Sequence, residues 1–152
     1  MLIPTLYTPI PAFEPRAGKV YELIVGGTVT TGLTGTLIIQ PRVGTAIGGT
    51  AVGVSPTQTY VASVTTAPFL YRCYLVYRSI GLGATSSTAV CNGVWESGGA
   101  VGTAGSSFVC AHSVTGAAIT VDTTAAQALW IGITFSVAPS VIPLWHVWRS
   151  LN

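Results

Sequence analysis

The side chains best equipped for chemistry are few. They are two histidines (His112, His146), three cysteines (Cys73, Cys91, Cys110) and four carboxylates (Glu14, Glu22, Glu96, Asp122). Cys110 and His112 offer the one nucleophile–base spacing. At i and i+2 on a strand they point the same way but sit ~6–7 Å apart, too far for direct proton transfer. Both histidines therefore read as structural. The carboxylates are spread singly, which leaves neither a paired acid and base of the glycosidase type nor an oxygen cage for a divalent cation. The cysteines form no C-x-x-C pair and read as buried thiols acting as small hydrophobes rather than as a disulfide, zinc or redox site.

No G-x-S-x-G elbow, H-E-x-x-H helix or G-x-x-x-x-G-K-[ST] loop occurs. Gly81-Leu82-Gly83-Ala84-Thr85-Ser86 lacks the third glycine of a dinucleotide fingerprint and reads as a hairpin loop. The expectation is a protein that is not an enzyme, with no catalytic residues, no cofactor and no metal.

What the chain lacks most is charge. Charged residues make up 7% of its 152 positions, against about 25% in an ordinary soluble domain. The 49% hydrophobic fraction is that of a folded protein, so low charge does not signal disorder. The net charge of +2 comes from scattered cations, without the dense basic face that nucleic-acid binding demands. So little charge gives a lone monomer little protection against association, and the chain reads as a subunit of an assembly.

The elements that must position any site divide the chain into an extended Pro-rich arm, residues 1–18, and a β-sandwich domain, residues 19–152. Pro4, Pro9, Pro11 and Pro15 exclude a regular helix or a central strand. Leu6, Tyr7, Ile10 and Phe13 make the arm too apolar for a solvated linker. Such a segment loses little entropy on docking, and both another chain and its own domain are open as its target. No secretory signal is expected, since the opening residues carry no positive n-region.

From Gly18 onward strand follows strand. Lys19 to Val25 is closed by Gly26-Gly27, and Thr28 to Thr31 follows. Gly35 to Val43 carries Pro41, which places it at an edge or ends it there. Further strands are expected at 51–54, 59–65, 69–80, 87–97, 106–114, 117–122, 128–137 and 142–151, with glycine-rich loops at 44–50 and 98–105. In Phe69 to Ile80, Phe69, Tyr71, Cys73, Leu75 and Tyr77 share one face and Arg72 and Arg78 lie on the other, a period of two. One helical turn is expected at Thr123 to Gln127 behind Asp122.

The uncharged run Thr123 to Trp148 is long enough to span a bilayer as a helix. Pro139, Pro143, Thr134, Ser136, Ser140 and His146 interrupt it, so no membrane span is expected. Roughly eight to ten short strands with turn signals every 8–12 residues indicate an all-β, antiparallel sandwich or barrel. Trp95, Trp130, Trp145 and Trp148, with the tyrosines, belong either to core and subunit interfaces or to a glycan-binding platform.

Val121-Asp122-Thr123-Thr124, the strand Leu129 to Val137 and a last strand close to Asn152 resemble the ending of small structural proteins of tailed bacteriophages. So do Gly35-Thr-Leu-Ile-Ile-Gln-Pro-Arg-Val-Gly-Thr45, the following Gly48-Gly-Thr-Ala-Val-Gly53, and the aromatic strand ending Arg78-Ser79-Ile80-Gly81. The likeness covers Lys19 to Asn152; the Pro-rich arm has no counterpart in it. It implies a jelly-roll-like sandwich that forms homotrimers and decorates capsids or belongs to tail and fibre parts.

On that resemblance the leading expectation is a capsid decoration (cement) protein on the virion exterior, present in the host cytoplasm during assembly. Its partners would be copies of itself and the major capsid protein. Leu6, Tyr7, Ile10 and Phe13 would contact the capsid or a neighbouring subunit, with Trp145 and Trp148 at the subunit interface. The alternative is a tail or fibre domain that recognises a host surface glycan.

Overall fold

The computed structural model describes residues 2–45, 49–81, 87–98, 107–113 and 119–152. These form eleven strands: β1 (Leu2–Ile10), β2 (Val20–Thr31), β3 (Gly35–Gly44), β4 (Thr50–Ala51), β5 (Gln58–Tyr60), β6 (Val64–Ser79), β7 (Ser87–Gly98), β8 (Ser107–Ser113), β9 (Ile119–Val121), β10 (Gln127–Phe135) and β11 (Ser140–Leu151). All pairings are antiparallel. One sheet runs β1-β10-β3, with β4 and β5 end to end on the far edge of β3. The other runs β11-β2-β6-β7, with β8 and β9 end to end on the far edge of β7. The protein is an all-β sandwich of these two sheets.

The inner faces supply the core. The alternation expected in β6 holds: Phe69, Tyr71, Cys73, Leu75 and Tyr77 are all buried. They pack with Tyr21, Leu23 and Val25 of β2, Ala89, Cys91 and Trp95 of β7, and Leu37, Ile39, Leu129, Ile131 and Ile133 of the opposing sheet. Phe69 stacks on Trp95 with ring centroids 4.3 Å apart, and Tyr21 meets Tyr77 edge to face at 6.0 Å. Each such pair adds about 0.5–1.5 kcal/mol beyond its buried area.

Three local expectations are corrected. Gly26-Gly27 does not close a strand; both lie inside β2, paired with Leu70 and Phe69. They are glycines because neighbours occupy the space a Cβ would fill: the Trp145 indole at Gly26, and the Phe69 ring with the Ile142–Pro143 backbone at Gly27. Pro41 neither ends β3 nor marks an outer edge. It pairs with Ile131 of β10, and its carbonyl accepts from Val52 N at 2.8 Å. Its missing N–H thus faces the gap between β4 and β5, where no ladder bond is lost. Finally, residues 123–125 form bends, not a helical turn, and Gln127 already belongs to β10. Asp122 Oδ1 accepts from Thr124 N at 2.8 Å and from its hydroxyl at 2.6 Å, an Asx turn that competes with helix.

Thr123 to Trp148 holds β10 and most of β11, and no helix among the described residues is long and apolar enough to cross a membrane. Most of the glycine-rich loop at 98–105 and of the hairpin loop at 81–86 lies outside the described residues.

Candidate functional site

Among the described residues no three His, Cys, Asp or Glu side chains converge on a metal-sized site. Cys110 and His112 lie on β8, opposite Trp95 and Gly93, but their side chains are outside the described residues. Cys73 and Cys91 are free and buried between the sheets. Burial, then the neighbouring Cys73, pushes the Cys91 thiol well up, so it stays protonated and unreactive. His146 lies on β11 opposite Val25.

The segment expected as an arm contributes a strand to the first sheet. Its first part is β1, the edge strand on β10, with a register irregularity between Leu2 and Tyr7. Ile10 is 1% exposed and belongs to the core. Phe13 is the opposite: 77% exposed, with φ of 58° and its N–H donated to Thr123 O at 2.9 Å. A bulky residue in the left-handed region is strained by about 1–3 kcal/mol. The side chains of Leu6 and Tyr7 are outside the described residues.

Beyond Phe13 the chain is clasped by its own last residues. Lys19 Nζ donates to Asn152 O at 2.6 Å and lies 3.5 Å from Glu14 Oε1, while Ser150 Oγ donates to Glu14 at 3.2 Å. A cleft of about 490 Å³ opens here between Glu14, Arg16, Ala17, Gly18, Lys19 and Asn152. Burial, then the charge of Glu14, pushes the nearby Tyr21 hydroxyl up, so it is no base at neutral pH.

No protein-family model, curated protein or solved structure matches the chain.

The most unusual surface is β11 and the sheet face beside it. Ile142, Leu144, Trp145, Val147 and Trp148 are 46–67% exposed on one strand. Trp145 and Trp148 are not brought together. Trp145 projects from the outer face over Gly26, whereas Trp148 is paired with Leu23 and points to the inner side at the open margin of the sandwich. Trp95 is core, Trp130 is buried on β10, and Tyr21, Tyr60, Tyr71 and Tyr77 are buried. The two exposed tryptophans therefore do not share one face.

Sequence reasoning missed Glu22, which is 1% exposed on the outer face of β2. It accepts a short hydrogen bond from Arg149 and faces Arg72 at 3.8 Å. Burial opposes its charge, but hydrogen bonds from Arg149 and Tyr74 and the two guanidinium charges outweigh that, holding its carboxyl below the usual range. Its alternation with Tyr21 and Leu23 was the available signal: a lone acid between two aromatic or aliphatic neighbours needs cations from adjacent strands.

Proposed function

We propose that this chain is a bacteriophage virion structural protein, a capsid decoration (cement) protein that binds and stabilises the lattice of the major capsid protein. The observation that carries the reading is the run of five half-exposed apolar side chains on β11 in a chain with 7% charge. A soluble monomer rarely leaves an edge strand so apolar on both of its faces, whereas a permanent subunit seals it against neighbours.

In this reading the sandwich winds as a jelly roll and closes into a homotrimer, with Trp145 and Trp148 at subunit contacts. Residues 1–18 meet the major capsid protein or a neighbouring trimer from their place beside β10, with Ile10 kept in the core. Phe13 is the arm residue best suited to contact: an exposed aromatic at a strained φ serves something other than its own fold. The mechanism is mechanical. Many copies at fixed stoichiometry clamp capsid subunits, and multivalency makes modest contacts add up. The glycan-reading alternative is the weaker, because the two exposed tryptophans leave opposite faces of β11.

The test is occupancy on purified capsids. Phe13→Ser and Trp148→Ser chains are each expected to fold and to lose occupancy at least tenfold. Unchanged occupancy of Phe13→Ser rejects the arm's role. A wild-type chain that ignores capsids but binds a glycan array replaces the reading with the receptor-binding one.

A further inference from the structure

The outer face of the β11-β2-β6-β7 sheet is a grid whose rows follow from the strand registers. Along the sheet the rows are Trp145–Gly26–Leu70–Glu96, Val147–Ile24–Arg72–Val94, Arg149–Glu22–Tyr74–Asn92 and Leu151–Val20–Val76–Val90, with Arg78 and Thr88 beyond the last. No strand or helix among the described residues covers this face. It is largely apolar, and a groove of about 270 Å³ runs between Leu70, Arg72, Tyr74, Val94 and Glu96.

Along β11, β2 and β7 the apolar rows on either side of the centre are self-complementary. A two-fold axis lying across the strands at the Arg149–Glu22–Tyr74–Asn92 row turns the sheet end for end onto a second copy. Val147, Ile24 and Val94 then oppose the Leu151, Val20 and Val90 of the other copy, apolar against apolar, while on β6 the half-exposed Arg72 opposes Val76. In the central row Arg149 and Glu22 each meet their own counterpart, and the ion pair within each chain offsets that like-charge contact. The same turn brings the exposed Glu96 of one copy beside the exposed Arg78 of the other, at both ends of the contact. Within one chain these two charges are four rows apart, about 26 Å along the strands, and neither is in an ion pair among the described residues.

We infer that this face docks against the same face of a second copy in an isologous two-fold contact. Four strands at ~4.8 Å and five rows at ~6.7 Å bury about 600 Å² per copy, within the range of a specific interface. Face-to-face packing is favoured over joining the β11 edges, because Pro143 and the irregularity between it and Trp145 interrupt that edge. The contact is a property of free copies and does not rest on the capsid reading; a trimer that also used it would pair into a hexamer.

Sedimentation equilibrium on the full chain tests it. Wild type is expected as dimers, or as hexamers if threefold closure also operates. Arg78→Glu and Glu96→Arg should each weaken the two-fold contact at least tenfold, and the double variant should restore it to within about threefold. Such rescue cannot arise inside one chain. Val90→Lys, a half-buried outward position, should dissociate the contact independently of those charges. A wild type that is only monomeric or only trimeric overturns the inference, as does a double variant no better than the singles. A free monomer whose Val90→Lys form loses capsid occupancy assigns the face to the capsid and overturns it equally.

Discussion

The indole of Trp145 rests on Gly26, a residue of the neighbouring strand whose missing side chain makes room for it. That contact explains why a glycine sits at position 26 inside β2 rather than ending it. Gly27, one residue on, faces a different obstacle: the Ile142 carbonyl and Pro143 Cα lie where its Cβ would go.

Gly26→Ala and Gly27→Ala are therefore expected to differ. At Gly26 the clash is with a half-exposed side chain that can swing aside, so the loss should be about 1 kcal/mol, with a red-shifted tryptophan emission. In a Trp145→Ala background it should largely vanish, a coupling that a double-mutant cycle reads directly. At Gly27 the clash is with backbone, and the loss should reach about 3 kcal/mol in urea unfolding. Equal losses at the two positions would contradict the packing described.

Glu22 makes a pH prediction. Its carboxyl is held below the ordinary range in the folded state, so its contribution is complete above the unfolded value, about 4.3, and is lost as pH falls through the folded one. The urea midpoint of wild type should fall between about pH 5 and pH 3 more steeply than that of Glu22→Gln. At neutral pH, Glu22→Gln should cost only about 1–2 kcal/mol, because the arginines it leaves behind reach water. Arg149→Met should cost more than Glu22→Gln, since it leaves a buried carboxylate with the Tyr74 hydrogen bond and the more distant Arg72 but without its nearest cation.

Much of the fold was legible because strand periodicity is a local signal. The alternation of Phe69, Tyr71, Cys73, Leu75 and Tyr77 with Arg72 and Arg78 predicts the inner and outer faces of β6 without reference to any other segment. What depends on distant partners was not legible. Gly26-Gly27 looks like a turn because lack of a Cβ serves turns and close approaches alike, and Trp145 decides between them from the far end of the chain. Pro41 looks like an edge residue because the gap between β4 and β5 is created by two later strands. The interaction surface was half visible. Trp145 and Val147 on one side of a strand and Trp148 on the other can be read locally, but that this strand stays at a sheet margin is a property of strand order.

Ile10 tests whether β1 is part of the folded core in solution. Its side chain is packed with the inner-face residues, so Ile10→Ala should destabilise by about 2–4 kcal/mol, in the usual range for an aliphatic side chain truncated in a core. Hydrogen exchange should show the amides of β10 that face β1 becoming less protected in the same variant. An unchanged urea midpoint would mean that β1 is detached from β10 in the free protein, leaving the whole arm available to another chain.

Phe13 separates folding from function at a single position. Its ring is 77% exposed and its φ of 58° suits glycine far better than an aromatic residue. Phe13→Gly should relieve the strain and remove almost no buried surface, although the freer unfolded chain gives back part of the gain. The net expectation is a protein as stable as wild type or up to about 1 kcal/mol more stable in urea unfolding. A loss above 1 kcal/mol would show that the ring packs against the domain. A neutral or stabilising result, combined with lost capsid occupancy, would mean that the residue is retained at a cost to its own domain for the contact it makes outside it.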